Sequence, residues 1–257
     1  MNARILLPLV LLFACNDKDD TAPDDTGPTD DTGPTGFSVS GNAVNLLNPT
    51  GVPTQGLCVY AADPTDCVSD PKCDIMDSKL AEGTVGKGGA YALANIETTS
   101  TFGLLMLVQD CGAEGTVMPT ATGMALETYQ DLGDGGAITD YMIYSLDAKT
   151  LVGFQAMLGA AGYTGDLAAE GALLGFVFDS AGLPVNGAVV AGSGTTYYFT
   201  GMGFTTKGGT VGAAGAMFII PDAPIYSYTC TAKGYTFDDV MVGSQAGYAV
   251  IVKFSAL

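Results

Sequence analysis

Apolar residues in this chain fall into short runs that glycine and proline interrupt, which is typical of β-strands joined by tight turns. The clearest example is residues 172–191, ALLGFVFDSAGLPVNGAVVA. An apolar stretch that ends at Phe178 precedes a turn from Asp179 to Pro184, and a second apolar stretch follows Gly187. This pattern predicts a β-hairpin.

Other segments also carry the strand pattern. Residues 226–233 alternate between an apolar and a polar set, and residues 248–254 repeat the alternation, as half-buried antiparallel strands do. Nearer the N-terminus, apolar runs predict strands at 57–62, 90–96, 101–110 and 117–126. The chain is therefore predicted to be mainly β.

One segment instead has helical spacing. Ser145 can cap a helix over residues 146–162, which Gly159 or Gly162 would end. We expect the apolar face of this helix to pack on a sheet. That face would be formed by Leu151, Phe154, Gln155 and Leu158.

A glycine and proline pattern occurs twice. Gly41 precedes residues 51–56, GVPTQG, as Gly175 precedes residues 182–187, GLPVNG. The repeat predicts that the chain contains two copies of one small domain. We expect two antiparallel β-sandwich domains, at residues 37–127 and 171–257, joined by a segment at residues 128–170 that holds the helix.

The second copy carries a recognisable succession of motifs: Gly175, then residues 182–190, 215–219, 226–228 and 232–235. This succession resembles the carboxypeptidase regulatory-like domain, whose fold is a transthyretin-like (prealbumin-like) β-sandwich. The resemblance covers most of residues 172–257 and implies that fold. The motifs are turn and packing signals, so they imply little about function.

The first copy resembles that family less closely. It keeps Gly41, Gly51, Pro53 and Gly56, but its turn is three residues longer. Asp110 and Cys111 replace the Gly-Tyr step.

The first 36 residues are predicted to lie outside both domains. Residues 1–14 combine Arg4, a short apolar run and a small residue before Cys15, as in a secretory signal peptide. The run LFAC at residues 12–15 resembles the bacterial lipobox, which implies cleavage before Cys15 and acylation of that residue. Residues 15–36 contain seven Asp, one Lys and three Pro, so we expect a disordered acidic tether.

Composition excludes several functions. The net charge of −18, with nine Lys and Arg, argues against a nucleic-acid partner. The chain has no histidine, which removes Ser-His-Asp and Cys-His nucleophile systems and most zinc sites. The acidic turn at residues 131–136 has glycine where calcium ligands should alternate. The only feature that favours a glycosidase with a catalytic pair of carboxylates is the abundance of Asp, which is weak evidence. We therefore predict no catalytic residue, no metal and no cofactor.

Four cysteines lie in the first predicted domain. If the protein is exported, they would form disulfides in the oxidising compartment outside the cytoplasm. Three pairings are open; we favour Cys67 with Cys73 and Cys58 with Cys111. Cys230, in the second domain, is predicted to be a buried free thiol.

Two functions remain. The favoured one is a membrane-anchored, non-catalytic lipoprotein of the cell envelope, a structural or protein-interaction module held at the outer membrane or cell surface rather than the inner membrane. The alternative is carbohydrate binding through exposed aromatic rings. Successive residues of a strand point to opposite faces, so a run of aromatic residues should expose at least one ring. The partners would be the membrane, through the lipid, and envelope proteins or glycans. The candidate ligand-facing aromatics are Tyr197, Tyr198, Phe204 and Tyr235.

Overall fold

A computed structural model describes residues 36–47, 54–70, 73–112 and 114–257 of the chain. The predicted signal peptide, the lipidation site at Cys15, nearly all of the tether and the Gly51 to Pro53 part of the first repeat lie outside these residues. The described residues belong to one compact unit, residues 34–257.

The described part of the chain is mainly β, as the sequence predicts, with sixteen strands and three α-helices. The strands before residue 148 are β1 (Phe37–Asn45), β2 (Cys58–Ala62), β3 (Lys79–Thr84), β4 (Ala90–Ile96), β5 (Leu104–Gln109), β6 (Val117–Met118), β7 (Thr120–Met124) and β8 (Ala137–Asp147). The later strands are β9 (Ala172–Phe178), β10 (Val189–Ala191), β11 (Tyr197–Phe199), β12 (Phe204–Thr205), β13 (Met217–Pro221), β14 (Tyr226–Thr231), β15 (Val240–Val242) and β16 (Ala249–Ser255). The helices are α1 (Thr65–Ser69), α2 (Ala148–Ala160) and α3 (Leu167–Glu170). Four 3-10 turns complete the list, at Ile75–Ser78, Lys87–Gly89, Leu126–Thr128 and Gly212–Ala214.

Nine of the strands form one sheet, in the order β12-β11-β13-β9-β16-β7-β5-β2-β3. β16 lies at its centre and runs parallel to both of its neighbours, because Ala249 is in register with Thr120 of β7 and with Ala172 of β9. The sheet therefore crosses from the strands of the first predicted domain to those of the second. The predicted boundary at residue 171 falls immediately before β9.

Both faces of the nine-stranded sheet are covered. On one face, the four-stranded sheet β4-β1-β8-β6 packs over β2, β5 and β7, and α2 packs over β9, β11, β13 and β16. On the other face, the three-stranded sheet β10-β14-β15 and the loop around Ile75 share a second apolar layer. β16 consequently differs from the half-buried strand expected from its alternation, since four successive residues from Ala249 to Val252 are buried.

The predicted hairpin at residues 172–191 is wrong in its pairing, although its turn is present. The Asp179 carboxylate accepts hydrogen bonds from the backbone N–H groups of Ala181 and Leu183, at 2.9 and 2.8 Å. Beyond a bridge between Phe178 and Pro184 the chain leaves the large sheet, so β9 pairs with β13 and β16 while β10 pairs with β14.

The glycines that begin each copy of the repeat are required by close packing. A side chain at Gly41 would collide with the backbone of Tyr141, where β1 runs beside β8. A side chain at Gly175 would collide with the ring of Phe218 on the neighbouring strand. The two glycines therefore have different neighbours, although the sequence pattern treats them as equivalent.

The predicted helix exists as α2, but Ser145 does not cap it. Ser145 is a buried residue of β8, and Asp147 caps α2 by accepting hydrogen bonds from the Thr150 N–H and hydroxyl, at 2.8 and 2.7 Å. Phe154 and Leu158 are buried on the sheet, as expected of the apolar face. The helix ends before Gly162, whose φ of 99° a residue with a side chain rarely adopts.

Candidate functional site

Two disulfides join the cysteines in the pairing that the sequence favours. Cys58, on β2, bonds to Cys111, which follows β5, with the Cα atoms 5.0 Å apart. Cys67, in α1, bonds to Cys73 with the Cα atoms 5.2 Å apart. These bonds fasten the neighbouring strands β2 and β5, and the loop that covers one face of the sheet.

Cys230 is a buried free thiol in the layer between β14 and the large sheet. Burial raises the pKa of this thiol to about 11, so it stays protonated at neutral pH. A protonated, enclosed thiol is a poor nucleophile and packs as a small apolar group.

The candidate ligand-facing aromatics do not form an exposed set. Tyr197, Tyr198 and Phe204 are 7%, 4% and 9% exposed, and only Tyr235, at 43%, is open to solvent. Tyr197 and Tyr198 are both buried because β11 is covered on both faces, while Phe199, the last ring of the run, is half-buried. Tyr197 packs in the layer of α2, and Tyr198 packs in the layer of the three-stranded sheet.

A concavity of about 440 Å³ lies where β1 begins and β4 ends. Its walls come from residues 36–37, 96–100, 126, 129–130 and 132–134, and we call it the sandwich-end recess. Tyr129 stacks on Phe37 with ring centres 5.2 Å apart, and both side chains are buried. The Tyr129 hydroxyl is enclosed and has no partner in hydrogen-bond geometry. Burial raises the pKa of Tyr129, as does the nearby charge of Asp63.

A hydroxyl cluster, made of Asp63, Thr65, Thr98 and Ser100, lies beside this recess. The Asp63 carboxylate accepts hydrogen bonds from the Thr65 N–H at 2.9 Å, the Thr65 hydroxyl at 2.5 Å and the Thr98 hydroxyl at 3.1 Å. Burial acts to raise the pKa of Asp63, but hydrogen bonds from the Thr65 hydroxyl and N–H and from the Thr98 hydroxyl outweigh it and hold the pKa below its ordinary value. The carboxylate is thus ionised and already supplied with donors, which makes it a poor general base.

The hydrogen bonds of the cluster have a defined direction. Thr65 has one hydroxyl hydrogen and donates it to Asp63, so Ser100 must be the donor in the 3.2 Å contact between the Ser100 and Thr65 hydroxyls. The Ser100 hydroxyl in turn accepts from the Phe102 N–H at 3.3 Å. The cluster therefore joins the loop before α1 to the loop between β4 and β5.

A smaller recess of about 310 Å³ contains Tyr163, Glu170 and Asp222. The Tyr163 hydroxyl donates to Glu170 at 2.6 Å, and burial together with this carboxylate raises the pKa of Tyr163. Within the part of the chain that the structure describes, no three His, Cys, Asp or Glu side chains are grouped to hold a metal ion. In the same residues, no helix is long and apolar enough to span a membrane.

The sequence pattern does not predict the hydroxyl cluster. The signal that was present is the Asp63-Pro64-Thr65 turn, together with the hydroxyl-rich run of residues 98–101 directly before β5. Thirty-five residues separate Thr65 from Ser100, so nothing local indicates that they meet.

No family model matches the chain. No curated protein matches it either. The resemblance to the carboxypeptidase regulatory-like domain thus rests on the sequence motifs alone.

Among solved structures, the chain is similar to the TIE protein of Bacillus anthracis, with 12% identity and a TM-score of 0.24. That match covers 86% of this chain and 34% of the TIE protein, about a third of its length. The shaft pilin SpaA of Lactobacillus rhamnosus GG matches with 12% identity and a TM-score of 0.27, over 86% of this chain and 97% of the pilin. GBS52, the minor pilin of Streptococcus agalactiae, matches with 10% identity and a TM-score of 0.26, over 86% of this chain and 95% of GBS52. TM-scores at this level do not establish a shared fold.

Proposed function

We propose that this chain is a non-catalytic module of the bacterial cell envelope, held to a membrane through acylated Cys15 and acting as a structural or protein-interaction domain. The acidic tether of residues 15–36 would carry the β-domain clear of the lipid surface. The cell surface or outer membrane is the favoured position.

The observation that carries this proposal is the pair of disulfides. Cys58–Cys111 and Cys67–Cys73 both join strands or loops of the fold, and such structural disulfides form and persist in oxidising compartments outside the cytoplasm. This location agrees with the export signal that the sequence predicts before Cys15.

The non-catalytic part of the proposal rests on the arrangement of the described residues. The nine-stranded sheet is covered on both faces, and the ionised Asp63 has its donors in place. Three of the four aromatic rings that would have supported carbohydrate binding are buried, which argues against that alternative.

The anchor is tested by expressing the full chain in a bacterial host with labelled palmitate and comparing the wild type with Cys15→Ser. We expect the variant to lose the label and to leave the membrane fraction, because serine has no thiol to acylate and the acyl chains are the proposed attachment to the membrane. Cys230→Ala is the matched control and should keep both properties. Label and membrane attachment retained in Cys15→Ser would contradict the proposal.

A further inference from the structure

The two edge strands of the three-stranded sheet, β10 and β15, differ in how their backbone groups are used. In β10, the Val190 N–H donates to the Tyr198 hydroxyl at 3.0 Å. The Val190 carbonyl accepts from the hydroxyls of Tyr198 and Thr196, both at 3.3 Å. The β10 edge is therefore closed by side chains of the same chain.

The hydrogen bonds of Val190 also fix the bonding pattern across the sheet. In an antiparallel pair, opposite residues alternate between exchanging two backbone bonds and exchanging none. Because Val190 turns away from β14, its partner Cys230 points its backbone groups to the other side, towards β15. Every second residue of a strand has the same direction, so Tyr228 bonds to its β15 partner, Val240. The next residue, Met241, then points its N–H and C=O out of the sheet.

The edge at Met241 is open. No described residue hydrogen-bonds to these outward backbone groups, and the Met241 side chain is 65% exposed. β15 reads Val-Met-Val and is in unbroken register with β14, so it lacks the charge, proline or bulge that usually protects an edge strand. An extended chain can therefore add to the sheet here by bonding to the Met241 backbone.

We propose that β15 binds an extended segment of a basic protein, which adds to the sheet as a fourth strand. Asp238 and Asp239 are exposed directly before β15, and the chain carries a net charge of −18, so a segment with lysine or arginine is attracted. The same charge repels a second copy of this chain. An edge of three residues is also too short for the roughly 1,000 Å² that a stable contact between folded copies needs.

This inference rests on the proposed interaction role and names the class of partner. The binding test uses the full chain and a fluorescein-labelled peptide, Thr-Lys-Thr-Val-Thr-Lys-Thr, with blocked ends. With its Val opposite Met241, either strand direction places a lysine opposite Asp239. The control peptide has Glu in place of both Lys. We expect fluorescence anisotropy to show binding of the lysine peptide, and binding of the glutamate peptide about fivefold weaker or less at low salt.

Met241→Pro tests the edge itself. The proline removes an N–H that no described residue uses, which an edge strand tolerates, so the fold should be retained. We expect the affinity for the lysine peptide to fall by about tenfold or more, because the main-chain donor is lost. Met241→Leu is the matched control. It keeps the N–H and an apolar side chain, so its affinity should stay within about twofold of the wild type.

Hydrogen exchange of the wild type covers the case in which Met241→Pro fails to fold. The Met241 amide should exchange rapidly without peptide and about tenfold more slowly when peptide is bound. The Val240 amide, which bonds to β14, should be protected in both states.

Several results would overturn the proposal: no binding of the lysine peptide, equal binding of the glutamate peptide, equal binding by folded Met241→Pro and Met241→Leu, or unchanged exchange at Met241. A dimer that Met241→Pro abolishes would also overturn it, because the occupant would then be a second copy. Acylation of Cys15 is measured separately by the palmitate label. Failure of the strand addition with the label retained would therefore leave the envelope location standing.

Discussion

Replacing Phe154 by alanine should remove a large part of the stability of this fold. Phe154 lies on α2 and is 1% exposed. Its ring centre is 5.6 Å from that of Phe204 in an edge-to-face arrangement, and 6.5 Å from that of Phe199. The change therefore removes buried apolar area and two aromatic contacts together.

The expected loss can be estimated from those contacts. A buried Phe→Ala change costs about 3–5 kcal/mol, which includes the cavity that remains. The upper part of that range applies because each aromatic pair adds about 0.5–1.5 kcal/mol beyond area burial. Since a domain is stable by only about 5–15 kcal/mol, the variant should unfold at a much lower denaturant concentration.

Urea unfolding under non-reducing conditions, followed by circular dichroism, measures this loss. Val152→Ala is the control on the same helix, because Val152 is 69% exposed and should change stability by no more than about 0.5 kcal/mol. Equal midpoints for Phe154→Ala and Val152→Ala would show that α2 does not cover the sheet, and would refute the packing described above.

Three further outcomes are expected. A fragment of residues 171–257 should aggregate, because it lacks α2 and β7; a monomeric fragment with cooperative unfolding would instead support an independent second domain. Replacing both Cys58 and Cys111 by Ala should cost about 4 kcal/mol against about 2 kcal/mol for Cys67 and Cys73, since their sequence separations are 53 and 6; equal urea midpoints for the two variants would contradict this. The pKa of Asp63 is lowered by folding, so its contribution to stability is complete above the unfolded pKa and is lost as pH falls through the folded pKa. Asp63→Asn should therefore lose less stability than the wild type between about pH 6 and about pH 3, and parallel losses would exclude this role.

The sequence predicts strands and the helix well where the signal is local. β9 and β4 have the predicted limits, and α2 begins within two residues of the predicted start. The helix cap was misassigned because Ser145 and Asp147 are both good capping residues. Only the pairing of β8 with β1, about a hundred residues away, decides that Ser145 belongs to a strand.

What the sequence could not supply is which strands are neighbours. The turn after Phe178 has the residues of a hairpin turn, but the next strand joins a different sheet. The alternation of residues 248–254 indicates one buried face, but the other face of β16 is also buried because separate layers of the fold cover both faces of the nine-stranded sheet. Tyr197 and Tyr198 are hidden for the same reason. The hydroxyl cluster also depends on contacts between distant loops.

The central position of β16 has a consequence for how the molecule is made. β7 and β9 leave the ribosome before the strand that joins them, so each waits with an unpaired edge until residues 249–255 follow. Those edges are open to wrong partners during this interval. A chain that is exported before it folds avoids the problem, since all of its strands reach the far side of the membrane before the sheet has to close.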